Sequence, residues 1–140
     1  MRIKRFIKKL KLLWSIYKSL STSINEYTAI KLSNEFLDII CLCANVPKHE
    51  LLETKKLRYR KYVIPRQLHM AIRREVLKLS QEDSGVLYGK DHATVIHSIK
   101  AVKNLIETDK FFREQYKPVF KKCIEIEPMS LVTLNLKFTV

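Results

Sequence analysis

Residues 89–95 read Gly-Lys-Asp-His-Ala-Thr-Val, a run whose residue types suit the reading of DNA bases from the tip of a helix. Gly89 supplies the backbone freedom that a tight turn between two helices needs, and Asp91 can cap the free N–H groups of the helix that follows. His92, Ala93 and Thr94 then occupy the first turn of that helix. In a helix-turn-helix, this end of the recognition helix enters the major groove. The run therefore predicts a helix that reads duplex DNA from residue 92 onward.

Three helical patterns would position this run. Along the recognition helix, apolar residues recur at helical spacing and would hold its back against the domain: Val95, Ile99, Val102 and Ile106. Upstream, residues 79–88 predict a short helix capped by Ser80, with Asp83 completing a capping box, and this helix fits the first helix of the motif. Before it, an apolar stripe predicts a helix over residues 66–78, with Pro65 at a first helical position.

A basic stretch precedes these helices. Its cationic residues are Lys55, Lys56, Arg58, Arg60 and Lys61, and Tyr59 and Tyr62 lie among them. A loop of this composition can lay an arginine into a minor groove while the recognition helix occupies the adjacent major groove. The stretch therefore predicts a second DNA contact beside the first.

From about residue 46 to 122, these motifs resemble the C-terminal DNA-binding domain of the bacterial replication initiator DnaA. That family carries a basic loop, an Arg-Gln pair opening a long helix, a Ser-x-x-(Glu/Asp)-(Ile/Ser)-Gly helix, and Gly-Gly-Arg-Asp-His-(Thr/Ser)-Thr-Val. The counterparts read Lys-Lys-Leu-Arg-Tyr-Arg, Pro-Arg-Gln, Ser-Gln-Glu-Asp-Ser-Gly and Gly-Lys-Asp-His-Ala-Thr-Val. The resemblance implies an all-α helix-turn-helix bundle of the DnaA C-terminal-domain or Trp-repressor-like type, with an added N-terminal amphipathic helix and a short extended C-terminal tail.

The resemblance also implies binding to a short, asymmetric, AT-rich duplex of the DnaA-box type. By position, Arg58 matches the arginine that enters the minor groove, and His92 and Thr94 match major-groove readers. Arg66 and Gln67 fall where the family touches the phosphate backbone and supports the loop. The predicted DNA-binding set is Arg58, Arg60, Lys61, Arg66, Gln67, Arg74, Lys90, Asp91, His92, Ala93, Thr94 and His97, with further phosphate contacts from Lys55, Lys56, Lys78 and Lys100.

Three departures from the family pattern predict an altered sequence preference. One glycine of the usual pair is missing, so the turn is a residue shorter and the recognition helix can sit at a different angle. Ala93 replaces a threonine and can offer a thymine only its methyl group. Lys90 replaces an arginine, which keeps the charge but loses the planar fork that suits bidentate contacts.

Other chemistry has little support in the chain. There is no Gly-x-x-x-x-Gly-Lys-Ser/Thr loop, and the two glycines cannot build a phosphate cradle, so ATP, other cofactors and small-molecule substrates are not expected. Cys41, Cys43 and Cys123 show neither zinc nor secreted-disulfide spacing, which predicts no metal site and a reduced cytoplasmic, nucleoid-associated setting. His69 is expected to be a surface or core histidine. We therefore expect no enzyme, but a regulator, competitor or recruiting adaptor in replication initiation or transcription.

Composition agrees with a nucleic-acid partner. The 140 residues carry 27 Lys and Arg against 14 Asp and Glu, a formal net charge of +13. Such a charge favours polyanions, with double-stranded DNA first and an anionic membrane second. The predicted organisation is an amphipathic helix over residues 1–22, a connecting or core helix over 23–45 with a Ser23–Glu26 capping box, the DNA-binding domain over 46–122, and a tail over 123–140.

The two ends leave alternatives open. Residues 1–20 carry seven basic residues and no acidic one, and an apolar stripe follows one helical face: Ile3, Phe6, Ile7, Leu10, Leu13, Trp14, Tyr17 and Leu20. We expect the stripe to pack on the domain, ahead of a protein partner or dimer and then an anionic membrane surface, since its lysines interrupt any bilayer span. Residues 109–122 predict a helix. Residues 134–140 alternate as a strand does, in a tail that frays, packs locally or joins a partner's sheet.

Overall fold

The computed structural model describes residues 2–20, 25–54 and 56–136, and for residues 17–20 it describes the backbone alone. The regular structure of the described residues is helical and includes no strand, as expected for an all-α bundle. The helices are α1 (Arg2–Leu20), α2 (Glu26–Ala44), α3 (Lys48–Glu53), α4 (Arg60–Glu75), α5 (Gln81–Val86), α6 (His92–Thr108), α7 (Lys110–Gln115), α8 (Lys117–Ile126) and α9 (Ser130–Thr133).

Short polar side chains fix the starts of the main helices. Ser80 accepts a hydrogen bond from the N–H of Asp83 at 3.0 Å, and Asp91 accepts one from Thr94 at 2.9 Å, so both predicted caps are confirmed. Asn25 caps α2 by accepting from the N–H of Thr28 at 2.8 Å. The predicted cap Ser23 lies outside the described residues.

The central helix α4 differs from its prediction at both ends. It begins at Arg60 instead of the first helical position predicted for Pro65, and it ends at Glu75 instead of residue 78. Pro65 therefore lies within the helix, where it removes the hydrogen bond that an N–H at residue 65 would donate to the carbonyl of Lys61. At the other end, Lys78 has a left-handed backbone with φ 60°, which no helix continues through. The basic loop is correspondingly shorter and closes at Tyr59.

One hydrophobic core is built around α4, which packs against α2, α5 and α6. Its apolar residues are buried together with those of the neighbouring helices, and the largest fully buried side chains are Tyr88, Tyr116, Phe36, Phe120, Leu37, Ile40, Leu51, Leu68, Met70, Ile72, Ile106 and Leu134. The predicted back of the recognition helix is part of this core, since Val95, Val102 and Ile106 are 0% exposed and Ile99 is 8% exposed. The helix that carries the proposed DNA contacts is thus fixed along its length.

The C-terminal region turns where an extended tail was expected. The predicted helix over residues 109–122 is two helices broken at Tyr116, because Pro118 lies in the first turn of α8. Beyond α9, Leu134 and Leu136 are both fully buried, and Asn135 between them has φ 57°. This left-handed residue turns the chain so that alternate leucines fill the core, and the prediction of a strand is wrong for these residues. Residues 137–140 lie outside the described part.

The amphipathic helix α1 stands apart from this core. None of the described side chains of residues 2–16 is buried, and Ile3, Phe6 and Leu13 are 55%, 54% and 62% exposed. The expected packing of the stripe against the domain is therefore not seen at Ile3, Phe6 and Leu13, whereas Ile7, Leu10 and Trp14 are half-buried. Among the described residues, no helix combines the length and the apolar character that crossing a bilayer requires.

Candidate nucleic-acid interface

The two helices of the helix-turn-helix, α5 and α6, meet at a glycine. A Cβ atom added at Gly85 would lie 2.4 Å from the carbonyl oxygen of Lys90 and 2.9 Å from a methyl of Val95. The N–H of Lys90 donates to the carbonyl of Gly85 at 3.0 Å across the same gap. Only a residue without a side chain allows this approach. Gly85 therefore sets how closely the recognition helix folds back on α5.

The second glycine serves the turn in a different way. Gly89 has φ 64°, in the left-handed region, while a Cβ there would meet nothing within 4 Å. Its N–H donates to the carbonyl of Val86 at 3.1 Å, which closes the turn after α5. One glycine is thus sufficient for the turn where the family pattern has two.

The first turn of α6 is exposed and held by its cap. His92 and Ala93 are exposed, and Thr94 is half-buried. Asp91 accepts from both the N–H and the hydroxyl of Thr94, each at 2.9 Å. These two hydrogen bonds, the backbone one first, lower the pKa of the Asp91 carboxyl below its usual value. Because the Thr94 hydroxyl donates to Asp91, it offers DNA an acceptor oxygen and a methyl group.

The exposed face of α6 extends beyond the residues that the sequence predicted. His97 and Lys100 are exposed, as expected for residues facing DNA. Ile96 lies between them and His92 on the same face and is 36% exposed. Ile96 was not among the predicted residues, because an apolar side chain in an amphipathic helix is normally assigned to the core. Its spacing of four residues from His92 and from Lys100 was the available signal.

Arg66 holds the basic loop from its buried side. This arginine is 3% exposed, and its guanidinium donates to the carbonyls of Leu51 at 3.1 Å and Leu57 at 2.9 Å, and to both the carbonyl and the hydroxyl of Thr54. Burial lowers the pKa of Arg66 from its usual value. The predicted phosphate contact by Arg66 is incompatible with this burial, because its donors are directed at the loop backbone. Loop support, the other role implied by the resemblance, is what the structure shows.

The loop presents cations on its outer side. Lys56, Arg58 and Arg60 are exposed, and none of them has an ion pair within the described part of the chain. Lys61 is also exposed, but it lies 4.0 Å from the carboxylate of Glu50 and 4.8 Å from the ring centre of Tyr62. Lys61 is thus partly neutralised, while Arg58 and Arg60 keep their full charge for an anionic partner. Lys55 lies outside the described residues.

The remaining predicted residues lie at varied depths. Gln67, Arg74 and Lys90 are half-buried, whereas Lys78 is exposed. Arg74 donates to the carbonyl of Leu79 at 3.0 Å and so closes the end of α4. This bond uses part of its guanidinium, which makes Arg74 a weaker candidate for a phosphate contact than Arg58 or Arg60.

The capped first turn of α6 and the basic loop lie at opposite ends of α6. Arg60, Lys61 and Asp109 line one cavity, which places the start of α4 beside the end of α6. Since α6 has 17 residues, its length of roughly 25 Å at 1.5 Å per residue separates the loop from His92. The two regions are therefore separate surfaces of the domain.

A buried polar network fixes the turn to α2 and α4. The fully buried ring of His69 contacts the carbonyl of Ser33 through Nε2 at 2.9 Å and the hydroxyl of Tyr88 through Nδ1 at 2.6 Å. Because a carbonyl only accepts, Nε2 carries the proton and Nδ1 accepts from Tyr88. Burial lowers the pKa of His69 to about 3, so the ring is neutral. Arg73 extends the network by donating to the carbonyl of Asp83 at 2.9 Å and to the Ser33 hydroxyl.

Comparison with known proteins matches the central part of the chain. The family described as bacterial dnaA protein helix-turn-helix matches residues 34–102. The chromosomal replication initiator protein DnaA of Acinetobacter baylyi is 36% identical over 77 residues, which cover 54% of this chain and 16% of that relative. The protein of the same name from Geotalea daltonii is 43% identical over 61 residues, covering 43% of this chain and 13% of the relative. The matched region is thus a small part of the length of these relatives. No solved structure matches the chain significantly.

Proposed function

Residues 34–102 are a helix-turn-helix domain of the bacterial DnaA family, and we propose that through them the chain binds duplex DNA at an AT-rich site of the DnaA-box type. The observation that carries this proposal is the exposed, Asp91-capped first turn of α6, whose opposite face is buried along its whole length. A recognition helix needs this combination of a free tip and a rigid back. In this proposal the basic loop supplies a second, separate contact.

In the proposed complex, the first turn and outer face of α6 lie in the major groove. His92 offers hydrogen bonds to base edges, and the methyl group of Ala93 and the side chain of Ile96 offer apolar contacts to thymine methyl groups. Both apolar residues are exposed on this face. The apolar contacts of Ala93 and Ile96 favour an AT-rich sequence, because only thymine carries a methyl group in the major groove.

The loop contributes a minor-groove arginine and phosphate contacts. Arg58 is exposed on the basic loop. Arg66 fixes this part of the loop from its buried side by donating to the carbonyl of Leu57, the residue before Arg58. AT-rich minor grooves are narrow and attract arginine through their enhanced negative potential. Lys56 and Arg60 flank Arg58 and would meet phosphates, which adds affinity without sequence selectivity.

The relatives are named chromosomal replication initiators, and we place this chain in control of the same step or of transcription from such sites. The matched region is the helix-turn-helix alone, and no cofactor or ATPase step is needed for the binding proposed here. By occupying a site, the chain would act as a competitor of an initiator or as an adaptor that recruits another protein, in the cytoplasm at the nucleoid.

Fluorescence anisotropy tests this proposal directly. Binding is measured to a labelled DnaA-box duplex and to a shuffled duplex of equal composition, at two salt concentrations. We expect tighter binding to the box at both. Arg58→Ala and Thr94→Ala should reduce the preference for the box, whereas Lys56→Ala should weaken both duplexes about equally and flatten the salt dependence.

The opposite result is equally clear. Equal binding to both duplexes that disappears at the higher salt would contradict box recognition. Selection of sites from random duplex DNA then separates a changed target sequence, which leaves an enriched motif, from simple polycation binding, which leaves none.

A further inference from the structure

A cavity of about 310 Å³ lies at the end of α6 away from its capped first turn. It is bounded by the start of α4, by α7 and by the end of α2, and its wall includes Arg60, Lys61, Ile64, Pro65, Phe111 and Phe112. Binding clefts in proteins begin at roughly this size, about 300 Å³. The cavity is therefore large enough to take a side chain of a partner.

One part of the wall is an exposed aromatic ring. Phe111 is 77% exposed, although its neighbour Phe112 is buried and places its ring centre 5.0 Å from that of Tyr116. The helix α7 thus contributes one phenylalanine to the core and leaves the other at the cavity. A large exposed ring beside a concave apolar surface is typical of residues that anchor a partner.

The start of α4 makes another part of the wall cationic. Arg60 is exposed and has no ion pair within the described part of the chain, whereas Lys61 lies 4.0 Å from the carboxylate of Glu50. The acidic residue of the wall, Asp109, caps α7 by accepting from the N–H of Phe112 at 3.1 Å. The cavity therefore combines apolar surface with a free guanidinium, which suits an occupant that joins an apolar group to an anion.

We propose that this cavity docks a short segment of a partner protein in which a large apolar side chain lies beside a carboxylate. The apolar side chain lies against Ile64, Pro65 and Phe111, and the carboxylate pairs with Arg60. The partner is thus defined by an acidic and apolar segment, and the docking site is separate from the capped turn of α6.

A nucleotide also joins an anion to a ring, but it fits this cavity less well. The polar edge of a buried base needs hydrogen-bond partners. Ile64 and Pro65 offer none from their side chains. Gln115 already donates to the carbonyl of Cys43 at 3.2 Å, and Asp109 is the cap of α7. The wall therefore favours an apolar side chain over a base.

The exposed face of α2 supplies matched controls. Tyr27 is 79% exposed and lies outside the cavity wall, so Tyr27→Ala and Phe111→Ala remove equally exposed rings at different places. Lys31 is likewise an exposed cation of α2, which makes Lys31→Ala the control for Arg60→Ala. Phe111 belongs to no proposed DNA contact, and neither ring substitution should lower the melting temperature.

The experiment selects peptides on the immobilised full chain from a random library displayed on phage. We expect the enriched peptides to place acidic residues beside leucine or an aromatic residue. In anisotropy titrations of a labelled enriched peptide, Phe111→Ala should weaken binding about tenfold or more and Arg60→Ala several-fold, whereas Tyr27→Ala and Lys31→Ala should change little. No DNA is present in these titrations, so their outcome does not depend on the proposed DNA binding.

Four results would overturn the proposal. They are no enriched peptide, enriched peptides that lack the pairing of acidic and apolar residues, equal losses from Phe111→Ala and Tyr27→Ala, and equal losses from Arg60→Ala and Lys31→Ala. A titration with a short oligothymidylate tests the other ligand class. Single-strand binding that depends on Phe111 more strongly than peptide binding does would mean that the cavity holds a base, and this result too would overturn the proposal.

Discussion

The two regions proposed to touch DNA are held in place by different means. The turn before α6 is fixed by several local contacts, namely the Asp91 cap, the Gly85 approach to Lys90 and the left-handed Gly89, and also by the buried network that joins Tyr88 to His69 and Ser33. The basic loop is held by one side chain from outside it, Arg66, which reaches back to carbonyls of three loop and α3 residues. The turn thus has several independent supports and the loop has mainly one, so a single substitution should affect the two regions very differently.

Removal of the loop's support should give the largest effect. Arg66→Ala leaves the carbonyls of Leu51, Thr54 and Leu57 without their buried donor, and we expect it to lower the free energy of unfolding by about 3 kcal/mol. Urea unfolding measures this loss. Amide exchange should show faster opening of residues 54–59 than of the turn at residues 87–91, because the turn keeps its own hydrogen bonds.

Arg74→Ala is the matched control for this test. Arg74 is a half-buried arginine of the same helix that donates to a single carbonyl, that of Leu79. Its loss should cost about 1 kcal/mol. Similar losses from the two variants, or equal opening of loop and turn in Arg66→Ala, would contradict the difference drawn between the two regions.

Substitutions of the two glycines at the turn, Gly85 and Gly89, should distinguish the effect of a steric clash from the effect of backbone strain. Gly85→Ala would place a Cβ 2.4 Å from the backbone oxygen of Lys90, so α5 and the turn must move apart, and we expect a loss of about 2–3 kcal/mol. Gly89→Ala meets no neighbour but must adopt φ 64°, which should cost about 1 kcal/mol.

Gly89→Asn refines this prediction, because asparagine tolerates the left-handed region and should be nearly neutral. Thermal unfolding ranks the three variants. A Gly89→Ala variant less stable than Gly85→Ala would mean that the close approach at Gly85 relaxes at little cost.

The buried His69 predicts a pH dependence that belongs to the turn. Its folded pKa of about 3 is below the value of 6.5 for an ordinary histidine, so the unfolded chain binds the proton more readily than the folded one. The stability that neutral His69 contributes is present above pH 6.5 and is lost as the pH falls towards 3. Between pH 7 and pH 5 we expect this group alone to remove about 2 kcal/mol.

Urea unfolding of the wild type and His69→Gln at pH 7, 6 and 5 measures this dependence, and the variant should show a flatter slope. NMR gives a second measurement on the intact protein, in which the His69 ring resonances should not titrate between pH 7 and 5. A His69 that titrates near pH 6.5 would refute the burial that ties Tyr88 and the turn to Ser33.

The comparison of loop and turn also explains which structural features could be predicted from the sequence. The caps at Ser80 and Asp91 and the buried back of α6 were predictable, because each depends on residues a few positions apart. The burial of Arg66 and the network of Ser33, His69 and Tyr88 were not, since they join residues distant in the chain and a charged or polar residue is normally assigned to the surface. The start of α4 was missed because Pro65 was taken as a helix boundary.

The smallest expected effect concerns Ile96, an exposed residue of α6 that the amphipathic pattern did not identify. Ile96→Ala removes apolar surface from the outer face of α6, where Ile96 is 36% exposed. If Ile96 meets a thymine methyl, the substitution should cost about 1 kcal/mol, a loss of several-fold in affinity, on the box duplex and little on the shuffled one. Val86→Ala is the matched control, since Val86 is 63% exposed on α5, the helix that the proposed complex leaves outside the groove. Anisotropy titrations of both variants measure the difference. An equal loss on the two duplexes would assign Ile96 to folding, and a loss from Val86→Ala as large as that from Ile96→Ala would mean that α5 also reaches the bases.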